Sequence, residues 1–166
     1  MMRDQQELMS QLACQLRVRG QTIAVAESCT GGLLGAALTD LPGSSAFFMG
    51  GILAYDNSVK TDLLGVSHDA LLAHGAVSEE VASEMAAGAQ KLFATDWALA
   101  TTGIAGPDGG TEDKPVGTVW VGLADREGVF SRQLALSGLR PAVRAETVRA
   151  ALEMLLETLT APDSAL

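Results

Sequence analysis

Three short stretches join hydroxyl side chains to glycines. They are Ala26-Glu27-Ser28-Cys29-Thr30-Gly31-Gly32, then Gly43-Ser44-Ser45 leading on to Tyr55-Asp56-Asn57-Ser58-Val59-Lys60, and Thr102-Gly103-Ile104-Ala105-Gly106-Pro107. Between them they offer a hydroxyl nucleophile, an amine to serve as base, and glycine backbone whose N–H groups a substrate can approach closely. That combination points to a hydrolase site built on serine and lysine.

Lys60 acts as a base only when neutral, so its pKa must fall through burial or a positive neighbour. Val59, Leu63 and Leu64 supply an apolar flank that could desolvate it; the alternative is a solvated surface lysine. Ser58, two positions away, falls on another helix face. Ser44 and Ser45 are the better partners if the intervening strand returns the chain to their loop, and Tyr55 stands at the strand end to orient or relay protons. In the first stretch Ser28, Cys29 and Thr30 lie where a strand hands over to a helix, with Gly31 and Gly32 open to a phosphate or carboxylate. The plainer reading is that Thr30 caps the helix and the glycines make a tight turn. The spacing matches neither the dinucleotide fingerprint nor the P-loop.

In the third stretch Thr102 can donate a hydrogen bond, and the N–H groups of Gly103 and Gly106 can meet an oxyanion. Asp108, Glu112 and Asp113 lack calcium-loop spacing and read as a solvated acidic loop. His68 and His74 have no companions at zinc-ligand spacing. Arg140, just before Pro141 at a helix start, either clamps a phosphate or is a surface arginine.

These residues need a scaffold, and the chain supplies one. Its 166 residues suit one domain, and with 48% apolar residues and only seven aromatics the core must rest on Ala, Leu, Val and Ile. A formal charge of −9 without a run of Lys or Arg disfavours nucleic acid and anionic membranes as partners, and favours a small molecule. Two cysteines make no disulfide framework, and Cys14 reads as packed within a helix. No signal-like or membrane-length apolar run is present, so a cytoplasmic location is expected.

Leu8, Met9, Leu12, Ala13 and Leu16 repeat at helical spacing before Gly20. Residues 22–26 predict a buried strand, 31–39 a helix, 46–55 a second strand and 58–64 a short helix. Ser78 opens a long helix whose buried face would be Val81, Met85, Ala89 and Leu92. A strand over 96–101 leads into the glycine-rich loop, and a hairpin follows over 117–124 and 128–136. Pro141 begins a last helix with a stripe of Val148, Leu152, Leu155, Leu156 and Leu159. This order predicts a single α/β domain over 1–166, a three-layer α/β/α sandwich around a mixed, mostly parallel sheet, with residues 161–166 a frayed tail.

Taken together the motifs resemble the CinA C-terminal-domain family, which contains bacterial nicotinamide-nucleotide amidohydrolases. Besides the three stretches above, His-Gly-Ala-Val-Ser at 74–78 and Lys-Pro-Val-Gly-Thr-Val at 114–119 stand in family order, so the resemblance covers nearly the whole chain. It is similar to the standalone form, without the molybdopterin-binding-like domain that many members carry at the N-terminus. The resemblance implies hydrolysis of the carboxamide of nicotinamide mononucleotide (NMN) to nicotinic acid mononucleotide and ammonia, with no metal or cofactor and in a homo-oligomer. It implies Ser45 as nucleophile, Lys60 as its base, Ser28 as second choice or proton relay, Tyr55 and Thr102 as assistants, and Arg140 on the phosphate. Thr30, Gly31, Gly32, Ser44, Gly103 and Gly106 complete the expected substrate contacts. Two positions depart from the family pattern. Asp56 follows Tyr55 where serine is common, which would raise the Lys60 pKa, and Leu139 precedes Arg140 where aspartate is common. Other readings are a ligand-binding or regulatory module linked to competence or DNA damage, and an amidase for another carboxamide.

Overall fold

The computed structural model describes residues 2–162. Five strands, β1 (Ile23–Glu27), β2 (Phe48–Leu53), β3 (Trp97–Gly103), β4 (Thr118–Ala124) and β5 (Val129–Ala135), form one sheet in the order β2-β1-β3-β4-β5. β1 pairs in parallel with β2 and β3, whereas β3–β4 and β4–β5 are antiparallel. Four of the five strands therefore point the same way, and the pairings divide evenly. The helices are α1 (Met2–Arg19), α2 (Leu33–Thr39), α3 (Asn57–Leu64), α4 (His68–His74), α5 (Glu79–Phe93) and α6 (Arg140–Thr160). The expected α/β sandwich is the observed architecture. Residues 163–166 of the expected tail lie outside the described residues.

Strand alternation sorts side chains by size. Ile23, Val25, Trp97, Leu99, Val121 and Leu123 meet Leu12, Leu16, Leu34, Leu38, Leu152 and Leu155 from α1, α2 and α6. The opposite face shows Ala26, Ala98, Ala100 and Ala124 to Val81, Met85, Ala86 and Ala89 of α5, with Leu64 and Ala70 of α3 and α4 alongside. Small residues there let α5 lie close. A Cβ at Gly122 would strike the Ala82 carbonyl, and one at Gly88 would strike that of Leu64. The scarcity of aromatics thus has a structural use, since a bulky residue on this face would push the helix away.

Several local expectations change. α4 is an additional helix, capped by the Ser67 hydroxyl on the Ala70 N–H. Leu92 is half exposed because α5 turns it away from the sheet, and Leu156 is only partly buried at the margin of the core. Cys14 is exposed, on the outer face of α1 away from Leu12, Ala13 and Leu16. Thr30 is not the cap of α2. That helix begins at Leu33 after Gly31 and Gly32, whose φ values of 55° and 100° suit glycine, and no side chain of its N-cap residue bonds to it.

Candidate active site

The order of the parallel strands reverses at β1: the chain passes from β1 out to β2, then back across to β3. Ligand crevices in open α/β sheets form beyond the carboxyl ends of strands at such a reversal. Ser28 follows β1 directly, and its N–H donates to Thr101 O of β3 at 2.9 Å. Just there lies a cavity of about 200 Å3 lined by Ser28, Cys29, Tyr55, Asn57, Lys60, Ala76, Gly103, Ala105 and Arg140.

Lys60 is the decisive side chain. It is 1% exposed, in the first turn of α3, and reaches back beneath the end of β2. Its Nζ donates to Ala54 O at 2.8 Å, Tyr55 O at 3.2 Å and Ser28 Oγ at 3.2 Å. Burial pushes its pKa below the ordinary lysine value of 10.5, against the opposing pull of Asp56 and Cys29. Asp56 is turned outward as the cap of α3, accepting from Ser58 N at 2.9 Å and Ser58 Oγ at 2.7 Å, and those bonds hold its own pKa low. The Asp56 substitution therefore retunes Lys60 without reversing the effect of burial.

A neutral amine has two N–H groups and one lone pair. The carbonyls of Ala54 and Tyr55 can take the two N–H groups, which leaves the lone pair to face the Ser28 hydroxyl. Cys29 is the other nucleophilic side chain at the cavity, but burial raises its pKa to about 11, so the thiol stays protonated and inert near neutrality.

Ser45 is not part of this cluster. It lies in a single 3-10 turn, Ser44–Ala46, ahead of β2, while Lys60 follows β2. Six strand residues at about 3.3 Å each separate the two ends by roughly 20 Å. The strand carries the chain away from the Ser44–Ser45 loop and does not return it, so neither serine reaches the cavity.

Other expected residues are placed as follows. Tyr55 is exposed, and its phenol oxygen accepts from Arg140 Nη2 at 3.3 Å. Arg140 also donates from Nη1 to Gly106 O at 2.9 Å, so Gly106 serves the site by holding the arginine. Gly103 lines the cavity. Thr102 is buried with its hydroxyl donating to Ala76 O at 2.8 Å, which fastens the 75–78 loop to the sheet and leaves no proton to offer a ligand.

The helix N-terminus expected to attract a substrate anion is already occupied from within. The buried Glu27 carboxylate accepts from Gly32 N, Leu34 N and Gly35 N at 2.8–3.0 Å and from Thr30 Oγ1 at 2.6 Å. Thr30 Oγ1 also lies 2.7 Å from Thr101 Oγ1. Thr30, Gly31 and Gly32 therefore shape the turn: the Thr30 hydroxyl and Gly32 N–H are directed to Glu27, Gly31 N donates to Ser28 O at 3.2 Å, and the anion at this helix end is the protein's own.

Besides Glu27, two more residues were missed. Asn57 lines the cavity, and Arg144, one turn beyond Arg140 on α6, donates to Cys29 O at 3.1 Å and Thr30 O at 3.0 Å. The i, i+4 spacing of Arg140 and Arg144 was a readable signal that both lie on one helix face.

The profile of the CinA C-terminal domain matches residues 5–159. The chain belongs to the CinA C-terminal domain family. It is 56% identical over 137 residues to a "CinA-like protein" of Synechocystis sp., covering 82% of this chain and 33% of that protein. It is 50% identical over 137 residues to a "Putative competence-damage inducible protein" of Desulforudis audaxviator, with the same coverage of the two chains, 82% and 33%. The chain thus spans about a third of the length of these curated relatives. Among solved structures, the competence/damage inducible protein CihA from Agrobacterium tumefaciens superposes with a TM-score of 0.91 at 42% identity, covering 94% of this chain and 95% of that one. The competence damage-inducible protein A of Klebsiella pneumoniae gives 0.91 at 37% identity, covering 95% and 98%. The CinA domain described here has no helix among its described residues that is long and apolar enough to cross a membrane.

Proposed function

We propose that this CinA domain is an amidohydrolase that converts NMN to nicotinic acid mononucleotide and ammonia, with Ser28 as nucleophile and Lys60 as general base. The carrying observation is the buried Lys60 amine 3.2 Å from Ser28 Oγ, held by two backbone carbonyls and depressed in pKa by desolvation. The motif resemblance supplies the substrate class.

In this reading the pyridine ring and its carboxamide enter the cavity, and the ribose phosphate meets Arg140 at the mouth beside Tyr55. Neutral Lys60 takes the Ser28 proton as Oγ attacks the carboxamide carbon. Backbone N–H groups of Gly103 and Ala105, the two residues of this loop that line the cavity, stabilise the tetrahedral oxyanion, that of Ile104 being held by Thr118 O. Protonated Lys60 returns the proton to the leaving nitrogen, and ammonia departs. Water, deprotonated by Lys60, then attacks the acyl ester and releases the carboxylate with Ser28 restored.

The test is ammonia release from NMN by the purified protein, with Lys60→Ala beside it. Equimolar ammonia and nicotinic acid mononucleotide from the wild type alone supports the reading. Binding of NMN without turnover would instead favour a ligand-binding module, and turnover of a phosphate-free carboxamide in preference to NMN would favour another amidase.

A further inference from the structure

Ser28 sits on a turn whose polar backbone is gripped from two sides by opposite charges. Glu27 holds the N–H side, at Gly32, Leu34 and Gly35. Arg144 holds the carbonyl side, at Cys29 and Thr30. The guanidinium also crowds Gly31: a Cβ there would lie 3.1 Å from Arg144 Nη2. Glu27 reaches its donors from within the turn's own strand. Arg144 comes from α6, more than a hundred residues away in sequence.

We infer that Arg144 is a positioning residue, which fixes the Ser28 turn against α6 and so holds Ser28 Oγ in line with Lys60. This rests on the proposed roles of Ser28 and Lys60. Arg140 and Arg144 are consecutive turns of one helix, so α6 holds both the cation at the cavity mouth and the turn that carries the nucleophile. Two donors in the rigid fork of a guanidinium fix the orientation of that turn as well as its distance. A lysine would keep the charge and lose the fork. Displacement of a reacting group by about 1 Å costs on the order of a hundredfold in rate.

The experiment uses a fluorophosphonate probe, which reports serine activation without the natural substrate. Ser28 Oγ forms a bond to phosphorus, fluoride leaves, and Lys60 takes the hydroxyl proton. Labelling is followed by mass spectrometry in the wild type, Arg144→Lys and Arg144→Met, with thermal unfolding alongside. The expected result is labelling of Ser28 that reaches full occupancy in both variants, with a rate constant at least tenfold lower. With NMN, kcat falls by a similar factor while KM stays within about twofold, and Lys does no better than a partial rescue of Met. A purely structural role would lower the labelled fraction at an unchanged rate, and that outcome overturns the inference. Equal labelling rates in all three proteins also overturn it, with Ser28 as nucleophile left standing. Absence of label at Ser28 in the wild type overturns the assigned nucleophile, and the positioning role with it.

Discussion

Lys60 Nζ and Ser28 Oγ lie 3.2 Å apart although 32 residues separate them in sequence. The pairing follows from two parallel strands ending side by side: β1 delivers Ser28, β2 delivers Ala54 and Tyr55, and α3 folds Lys60 back beneath them. Burying an amine is costly unless it is hydrogen-bonded, and here it has three partners, two carbonyl oxygens and the Ser28 hydroxyl.

This geometry separates the serines. Ser28→Ala removes turnover of NMN to at least a thousandfold below wild type, in keeping with loss of a covalent nucleophile. Ser45→Ala, at the far end of β2, leaves kcat/KM within about twofold, since surface changes away from a site have small effects. Steady-state kinetics on both variants checks the assignment.

The depressed Lys60 pKa has a definite sign. Between its folded pKa and the ordinary value of 10.5, the folded protein holds one proton fewer at this position than the unfolded chain. The contribution of Lys60 to stability is therefore greatest above 10.5 and is lost as pH falls through the lowered folded pKa. Denaturant melts of wild type and Lys60→Met should show the wild type gaining on the variant as pH rises towards 10.5. In kinetics, kcat/KM climbs with pH along a limb whose midpoint lies below 10.5.

Glu27 is a structural anion. Glu27→Ala leaves the buried N–H groups of Leu34 and its neighbours without an acceptor and opens a void, for a loss of about 3–5 kcal/mol. Urea unfolding measures it. A loss below about 1 kcal/mol would mean that water or another residue replaces the carboxylate.

Gly88 sets two effects against each other. Alanine within a helix is better than glycine by about 1 kcal/mol, but its Cβ would collide with the Leu64 carbonyl, backbone that cannot rotate aside. Overpacking costs of about 1–3 kcal/mol or more outweigh the gain. Gly88→Ala should lower the unfolding midpoint, not raise it.

Arg140→Ala tests the mouth of the cavity. Its guanidinium touches Tyr55 and Gly106 but neither Ser28 nor Lys60 among its hydrogen bonds, so KM for NMN rises on the order of ten- to a hundredfold with kcat little changed. Titration with nicotinamide riboside, which lacks the phosphate, should show far less dependence on Arg140.

The layers and most elements could be read from periodicity: the Leu12–Leu16 and Leu152–Leu155 stripes and the Ser78 cap all act as their spacing predicts. Lys60 could be singled out by its apolar flank, and Ser28 by its place at a strand–helix junction. Ser45 is misplaced when motif order is followed over strand geometry: it precedes β2 and Lys60 follows it, and an extended strand holds its two ends apart. Glu27 escaped notice for a related reason: it ends an apolar strand, and its role appears only when the following turn brings three N–H groups round to it. The i, i+4 spacing put Arg144 on the helix face of Arg140, but its partners lie 115 and 114 residues away, and no local pattern names them.

The most direct test incubates NMN with wild type, Ser28→Ala and Lys60→Ala, and measures ammonia and nicotinic acid mononucleotide together over the same time course. The Ser28–Lys60 account predicts equimolar products from the wild type and none above background from either folded variant. Undiminished turnover by Ser28→Ala would contradict it.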